Sequence, residues 1–465
     1  MENFIVIRKM FDEESKFIHR IIDYNVVVFG YKIVSPFDLN DPKSVDKIDK
    51  AIHIWMKLNR LLCAKIFIKK DQQYLECTTE NISSDVDYYF YDATKLSDRK
   101  YHLVEYFKLN QATQDRFKKY DHQLEQDLLR VLLERECARK FDFSVNSSDL
   151  LWRLVFVQLD GCNQFLIFSA NHTIIDGRSA YNSVIDLMRI IENVDSYGEL
   201  ESIEPYEMLA SREEIFADEL KNEKEIAYDF KYPPIPQFKV YPNAKSSYPE
   251  DESLISELGI ESIKFHDKHD RITISMNELI VITKSNPVKY EYFTIDPPQL
   301  AKLLNLCKKN NSKMNSLLSI LLSLSTRRIL KEETIDDNSK HTNIIELNSI
   351  GLRRFIKPTS NNYHSKSLCF LLSLFLKEFD SKTLDELFDE DGHRLKRQKF
   401  WEFVTNYSNE LHHDLSEHKH LFKYKWPDFD EEAANTLRLS FGLSSFGEMP
   451  SSYSSDAKIK IKSFI

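Results

Sequence analysis

The stretch that most narrows what this chain can fold into is Phe165-Leu-Ile-Phe-Ser-Ala-Asn-His-Thr-Ile-Ile-Asp-Gly-Arg178. An apolar, strand-like run ends at His172, and Asp176-Gly177 follows four residues later. A helical pattern then runs from Ser179 to Glu192. A strand, a tight turn and a helix follow one another here, and strands and helices in both halves of the chain suggest an α/β protein of two similar lobes. A histidine where such a strand leaves the core is fixed by packing on one side and faces a cleft on the other. Imidazole titrates near neutral pH, so it can take a proton and return it under cellular conditions. Taken alone, a histidine in this place is more often a satisfied core or rim residue than a catalyst, and only the rest of the chain decides between the two.

The chain has 465 residues, enough for two or three domains of roughly 100–200 residues each. Hydrophobic residues make up 42% and aromatic residues 12%, sufficient for large cores. Charged residues are mixed in sign, and the net charge of -10 argues against a general nucleic-acid binder, which would carry a basic face. The six cysteines (63, 77, 137, 162, 307 and 369) contain no C-x-x-C pair, which is neither a zinc pattern nor a disulfide framework and points to a reducing compartment. The N-terminus has no basic segment followed by a long apolar stretch, so no secretory signal is expected. The greasiest run, Leu368 to Leu376, falls short of the ~18 residues a membrane span needs, so a soluble or peripheral protein is expected. Glycine is scarce, with only 9 residues against about 7% in an average chain. Gly177, Gly442 and Gly447 therefore sit where geometry has a reason for them.

Along the chain, apolar Val45, Ile48, Ile52, Trp55 and Leu58 predict a helix over 45–60, followed by a strand over 61–68. A helix over 124–139 leads to two strands, 151–159 and 165–169. The turn Asp160-Gly-Cys-Asn163 between them predicts a hairpin. Residues 194–287 are acidic and broken by prolines, as in a long crossover with a short helix at 212–225. Lys289–Ile295 alternates like a strand. Asp296-Pro-Pro offers a helix N-cap for 299–310, and 312–330 reads as a second, buried helix with Leu317, Leu318, Leu321 and Leu322 as core packing. A strand over 341–350 follows. Periodicity leaves 368–379 open between strand and helix. Residues 394–410 are amphipathic, and 437–447 reads as a strand entering a tight turn. Lys458-Ile-Lys-Ile-Lys462 alternates as an edge strand blunted by lysines, with membrane contact as the lesser reading. His412-His413-Asp414 has the look of a metal or acid–base cluster but reads first as an exposed helix end, and Arg394–Lys399 reads first as a solvated helix face, with contact to a cofactor's phosphates or a membrane surface as the lesser reading.

In this order the segments resemble the H-x-x-x-D-G acyltransferase superfamily, which includes chloramphenicol acetyltransferase, the plant BAHD enzymes, condensation domains and the fungal alcohol acetyltransferases. The resemblance covers nearly the whole chain: KIDKAIHIWMKLNRLLCAKI, KFDFSVNSSDLLWRLVFVQLDGCNQFLIFSANHTIIDGRS, YFTIDPPQLAKLLNLCKKNNSKMNSLLSILLSL, ELNSIGLRRF and LSFGLSSFG. The fungal enzymes that acetylate alcohols or sphingoid-like amines are nearest in length and layout. The chain departs from the pattern in having Asn171 where many relatives have a second histidine, and Ser445 where asparagine is common. Eighteen residues follow Gly447, fewer than in several relatives.

The resemblance implies an α/β fold of two chloramphenicol-acetyltransferase-like lobes, with mixed sheets, flanking helices and a tunnel between the lobes. Residues 1–195 would form the first lobe, 196–288 the crossover and 289–465 the second lobe. It implies transfer of an acetyl group from acetyl-CoA, without a metal, to a hydrophobic or amphipathic acceptor: a long-chain alcohol, a sterol or a sphingoid-like amine. His172 would be the general base. Asp176 would point away from it and pair with a second-lobe arginine, Arg353 first and Arg354 second, while Gly177 lets the backbone turn beside the substrate. Ser444 and Ser445, with Gly447, are the implied oxyanion or tunnel residues. The expected protein is a cytoplasmic monomer with no nucleic-acid partner, peripheral at the endoplasmic reticulum where such acceptors partition. Two other readings stand beside this one. One is a catalytically inactive ligand-binding scaffold of the same fold. The other is a condensation-type enzyme served by a carrier protein.

Overall fold

The computed structural model describes residues 6–10, 26–70, 73–76, 87–92, 104–109, 115, 122–139, 141, 150–208, 215–220, 260–262, 295–333, 343–356, 368, 371–389, 392, 394–417, 441–445, 447, 449 and 451–464. In chain order its strands and helices are β1 (Val6–Lys9), β2 (Val26–Val34), α1 (Pro42–Leu58), β3 (Ala64–Lys70), β4 (Gln73–Glu76), β5 (Asp87–Asp92), β6 (Val104–Leu109), α2 (His122–Ala138), β7 (Trp152–Asp160), β8 (Asn163–Asn171), α3 (Gly177–Glu192), α4 (Ala217–Leu220), β9 (Ile260–Ser262), α5 (Pro297–Lys309), α6 (Met314–Glu333), β10 (Ile344–Gly351), β11 (Leu372–Phe379), α7 (Ser381–Asp385), α8 (Arg397–Ser416), β12 (Phe441–Ser444) and β13 (Lys460–Phe464). The fold is mixed α/β, with a larger first lobe and a smaller second one.

The first lobe is built on a six-stranded sheet in the order β13-β2-β8-β7-β6-β9, with a four-stranded sheet, β1-β5-β3-β4, beside it. β8 lies between β2 and β7 and is antiparallel to both. It is buried from Gln164 to Asn171, which is why its sequence reads as one apolar run rather than a clean alternation. Successive side chains still point to opposite faces. Leu166, Phe168 and Ala170 join a core with α1 and α3, whereas Phe165 and Ile167 pack against α2. The β7–β8 hairpin forms as predicted. Gly161 takes a positive φ of 28°, and Asn163 Nδ2 donates to Asp160 Oδ1 at 2.6 Å. α1 starts at a side-chain cap, Asp41, with Pro42 in its first turn. Its Trp55 meets Trp152 edge-on, with ring centroids 5.2 Å apart.

Beneath β8 a charged cluster is sealed in. Glu136 on α2 is fully buried and lies 2.7 Å from Arg135, 3.0 Å from Arg139 and 3.2 Å from Arg153. Ser169 of β8 donates to the same carboxylate at 3.1 Å. Burial by itself pushes the Glu136 carboxyl up, but Arg139, Arg135 and Arg153 outweigh it and hold the group well below the usual carboxylate range.

The second lobe has a three-stranded sheet in the order β11-β10-β12, with β10 antiparallel to β11 and parallel to β12. The segment that periodicity left open is therefore a strand, Leu372–Phe379, paired along all of β10. Phe375, Leu347, Ile320, Phe400 and Val404 share its core. Inside that core Tyr407 donates to Glu346 at 2.7 Å, and Asn348 donates to the Tyr407 oxygen at 2.8 Å. Burial pushes the Glu346 carboxyl up. One sequence reading needs correction. Leu317 is core, but Leu321 and Leu322 are each 38% exposed, because α6 is covered on one side only.

The lysine-blunted strand expected near the C-terminus is β13, and it is an edge strand, of the first lobe's sheet: it pairs with β2 with Lys460 and Lys462 exposed and Ile461 buried. The crossover supplies the short helix α4 and, unforeseen from its composition, strand β9 at the other edge of the same sheet. The predicted strand 289–295 lies outside the described residues except for its last position. Among the described residues no helix is long and apolar enough to cross a membrane.

Glu136→Ala would remove the buried carboxylate that Arg135, Arg139 and Arg153 share, leaving Glu105 as the carboxylate beside Arg135 and Arg139. It should destabilise the protein by about 3–5 kcal/mol, seen as a lower urea midpoint at unchanged slope. Because the native pKa of Glu136 is depressed, its contribution is present above the ordinary glutamate range and is lost as pH falls through the native value.

Candidate active site

His172 is the first residue after β8 and is half-buried. The turn that carries it is held by Asn171, whose Oδ1 accepts from the Thr173 N–H at 3.0 Å and from Thr173 Oγ1 at 2.7 Å. This side-chain turn gives Asn171 a structural purpose. His172 Nδ1 lies 2.7 Å from the carbonyl oxygen of Ile175. A carbonyl can only accept, so in the neutral ring the proton sits on Nδ1 and Nε2 carries the lone pair. Burial lowers the pKa of the imidazole, against the opposing pull of the Ile175 carbonyl and of Asp176. The ring is therefore neutral at pH 7.

Asp176 is the N-cap of α3 and is 1% exposed. Its Oδ1 accepts from the Ser179 N–H at 2.6 Å and from Ser179 Oγ at 2.7 Å. Its Oδ2 accepts from the backbone N–H of Leu371 at 3.1 Å. Both oxygens are engaged by these groups, and one of those groups belongs to the second lobe. Arg353 lies in the short helical turn after β10 and donates through Nη2 to Ser179 Oγ at 2.6 Å. The predicted aspartate and arginine thus meet through a shared serine. Leu352 N–H donates to the Leu371 carbonyl at 3.0 Å, closing the arrangement on the second-lobe side. Arg354 instead is exposed, with its guanidinium over the Phe355 ring.

Gly177 occupies the first helical position without a positive φ, so the turn does not depend on left-handed backbone there. Gly447 does need it, at φ 67°. Ser444, Ser445 and Gly447 are all exposed. The same segment touches the motif one step further on, where Arg178 Nη1 approaches the Met449 sulfur at 2.8 Å. His412 and His413 are exposed on the last turns of α8, as the sequence suggested, although Asp414 beside them is buried. Among the described residues no cluster of histidine, cysteine and carboxylate side chains could hold a metal ion.

Ser179, Leu371 and the Ile175 carbonyl were not singled out from the sequence. The spacing Asp176-x-x-Ser179 is a readable capping signal. The other two act through backbone groups, which leave no mark on residue identity.

Residues 95–426 match the model of the alcohol acetyltransferase family. No curated protein matches the sequence. Among solved structures, polyketide synthase associated protein 5 from Mycobacterium tuberculosis aligns over 100% of this chain and 86% of its own, with 13% identity and a TM-score of 0.55. TRI101 of F. sporotrichioides, solved with coenzyme A and T-2, aligns over 100% and 88% with 12% identity and a TM-score of 0.52. The first condensation domain of the calcium-dependent antibiotic synthetase, solved with a substrate analogue, aligns over 99% and 84% with 10% identity and a TM-score of 0.52. At these identities the likeness is one of fold.

Removing the Asp176 carboxylate should cost a helix cap and the bond to Leu371 together. Asp176→Ala is expected to destabilise by about 2–4 kcal/mol. Asp176→Asn keeps the cap acceptor but turns an amide N–H2 toward the Leu371 N–H, so it should fall between wild type and alanine. Urea unfolding of the three proteins orders them.

Proposed function

The chain belongs to the alcohol acetyltransferase family and is an acyltransferase, and we propose that it transfers an acetyl group from acetyl-CoA to the hydroxyl of a hydrophobic or amphipathic alcohol. Long-chain alcohols and sterols are the leading acceptors, and a sphingoid-like amine is the alternative nucleophile for the same site. The observation that carries the reading is the imidazole of His172, neutral and held in one tautomer at the junction of β8 and α3.

In this reading the acceptor and the thioester meet at His172 Nε2 in a tunnel between the lobes. Nε2 removes the hydroxyl proton as the oxygen attacks the thioester carbonyl carbon. The tetrahedral intermediate collapses by breaking the carbon–sulfur bond, and the imidazolium returns its proton to the departing thiolate. No covalent acyl-enzyme forms, because the acceptor itself is the nucleophile. Holding both substrates in line contributes much of the rate gain. Asp176 and Arg353 act as positioning residues that set the second lobe against the base. That a similarly folded structure was solved with coenzyme A supports the choice of thioester. Acceptors of this kind partition into membranes, which extends the proposal to peripheral association with the endoplasmic reticulum.

Purified protein incubated with labelled acetyl-CoA and a panel of alcohols and amines tests the proposal. His172→Ala should lose transfer by about 10²–10⁴-fold with an unchanged unfolding midpoint. Equal transfer by the two proteins would remove His172 from the mechanism, and acetyl-CoA binding without turnover on any acceptor would favour a binding scaffold. Because burial lowers the histidine pKa, the acid limb of kcat/KM should fall below the ordinary value of about 6.5. A limb above that value would contradict the environment described.

A further inference from the structure

Where the two lobes meet, the side chains just before β11 are divided between two packed clusters. Leu368 is buried in the first-lobe core, and Leu372 packs against the edge of that core. Leu371 belongs to a separate small cluster with Leu352 of the second lobe and Phe216, the crossover residue just before α4. All three are sealed from water, at 1%, 0% and 2% exposure. Ile215, Phe355 and Ile356 pack around them. Three distant segments of the chain therefore share one apolar knot, and one of them is the crossover.

The backbone of this knot carries the bond between the lobes. Leu371 N–H donates to Asp176 Oδ2 at 3.1 Å, and its carbonyl accepts from Leu352 N–H at 3.0 Å. Arg353, next to Leu352, reaches Ser179 Oγ. A hydrogen bond weakens steeply as its angle opens, so the Leu371 N–H serves Asp176 only while its residue keeps one seat. Leu352 and Phe216 build that seat. The crossover that brings Phe216 is itself fixed to the first lobe at Tyr206. Tyr206 N–H donates to the Leu58 carbonyl at 2.8 Å, and its hydroxyl donates to Asp186 of α3 at 2.8 Å. The crossover thus grips the body of α3 at Tyr206 and, at Phe216, the residue that binds the cap of the same helix.

We propose that Phe216 is a positioning residue for His172. It seats Leu371 so that the N–H stays on Asp176, and through that carboxylate it holds the second lobe against the turn that carries the imidazole. The role toward His172 rests on the acetyl transfer proposed above, whereas the seating of Leu371 does not. Truncating a buried ring leaves a cavity that its neighbours fill only in part. Here the neighbour free to shift is Leu371, and a shift there opens the inter-lobe bond. A misplacement of about 1 Å far from the chemistry can cost a rate about 10²-fold, so a residue that touches no substrate still governs turnover.

Amide hydrogen exchange of the full-length protein, read by mass spectrometry on fragments containing Leu352 and Leu371, tests the seating. Phe216→Ala should speed exchange in these fragments at least about tenfold more than in fragments from β7 and β8, and Phe216→Leu should restore it to within about threefold of wild type. Should the alanine variant not fold, Phe216→Val carries the same expectations. Acetyl transfer tests the role at His172. Phe216→Ala should lower kcat at least about tenfold with KM for acetyl-CoA within about threefold of wild type, and Phe216→Leu should recover the rate. In an Asp176→Asn background the inter-lobe bond is already disturbed, so Phe216→Val should add no more than about twofold to either readout. Equal acceleration of exchange in every fragment would reduce Phe216 to ordinary core and overturn the proposal, as would fully multiplicative effects of the two changes. Fast local exchange with wild-type kcat would overturn the role at His172. No turnover by the wild type on any acceptor would instead defeat the acetyl-transfer reading, and the exchange result would still decide the seating.

Discussion

The carboxylate of Asp176 is the constraint on which the arrangement of the site depends. One oxygen starts α3 and the other reaches the backbone of the second lobe at Leu371. A buried carboxylate is costly unless its lone pairs are filled, and here they are filled by groups from two parts of the chain. The position of the second lobe relative to the turn that carries His172 is thereby tied to the folding of a single side chain. Arg353 strengthens the tie through Ser179, placing a positive charge near the aspartate without turning the carboxylate away from its cap. An aspartate four residues from a histidine invites a reading as a catalytic pair. The hydrogen bonds show a different division of labour, in which a backbone carbonyl orients the imidazole and the aspartate holds the lobes.

A second constraint lies under the sheet. Ser169, three residues before His172, donates to Glu136, and that carboxylate is surrounded by Arg135, Arg139 and Arg153. A cluster of this kind gains little over an apolar core of the same volume, but it tolerates few alternative packings. It locks α2, β7 and β8 into one register. The end of β8, where the imidazole emerges, inherits that rigidity. The site is thus supported from below by paired charges and from the side by Asp176.

The elements that were legible from the sequence are those whose pattern is local. α1 shows its apolar spacing and its Asp41-Pro42 start. The β7–β8 hairpin shows Asp160-Gly161 between two apolar runs. β13 shows its alternation of isoleucine and lysine. Where the pattern fails, the cause is tertiary. Residues 372–379 are apolar on both faces, so periodicity cannot separate strand from helix until β10 pairs with them. Leu321 and Leu322 look like core because they are leucines in an apolar helix, yet α6 has neighbours on only one side. β9 is three residues long and is a strand only because β6 offers an edge.

The sequence by itself determined the chemistry that is available. It has one histidine at the end of a buried strand, an aspartate-glycine turn into a helix, and an arginine after a later strand. These depend on residue identity and short spacing, which a chain carries with it unfolded. Only the tertiary structure decided which nitrogen of the imidazole holds the proton, that Asp176 reaches Leu371 rather than His172, and that the serines at 444 and 445 face solvent. Those outcomes depend on backbone groups and on burial. Backbone groups are the same at every position, and burial is a property of the neighbours that long-range packing brings together.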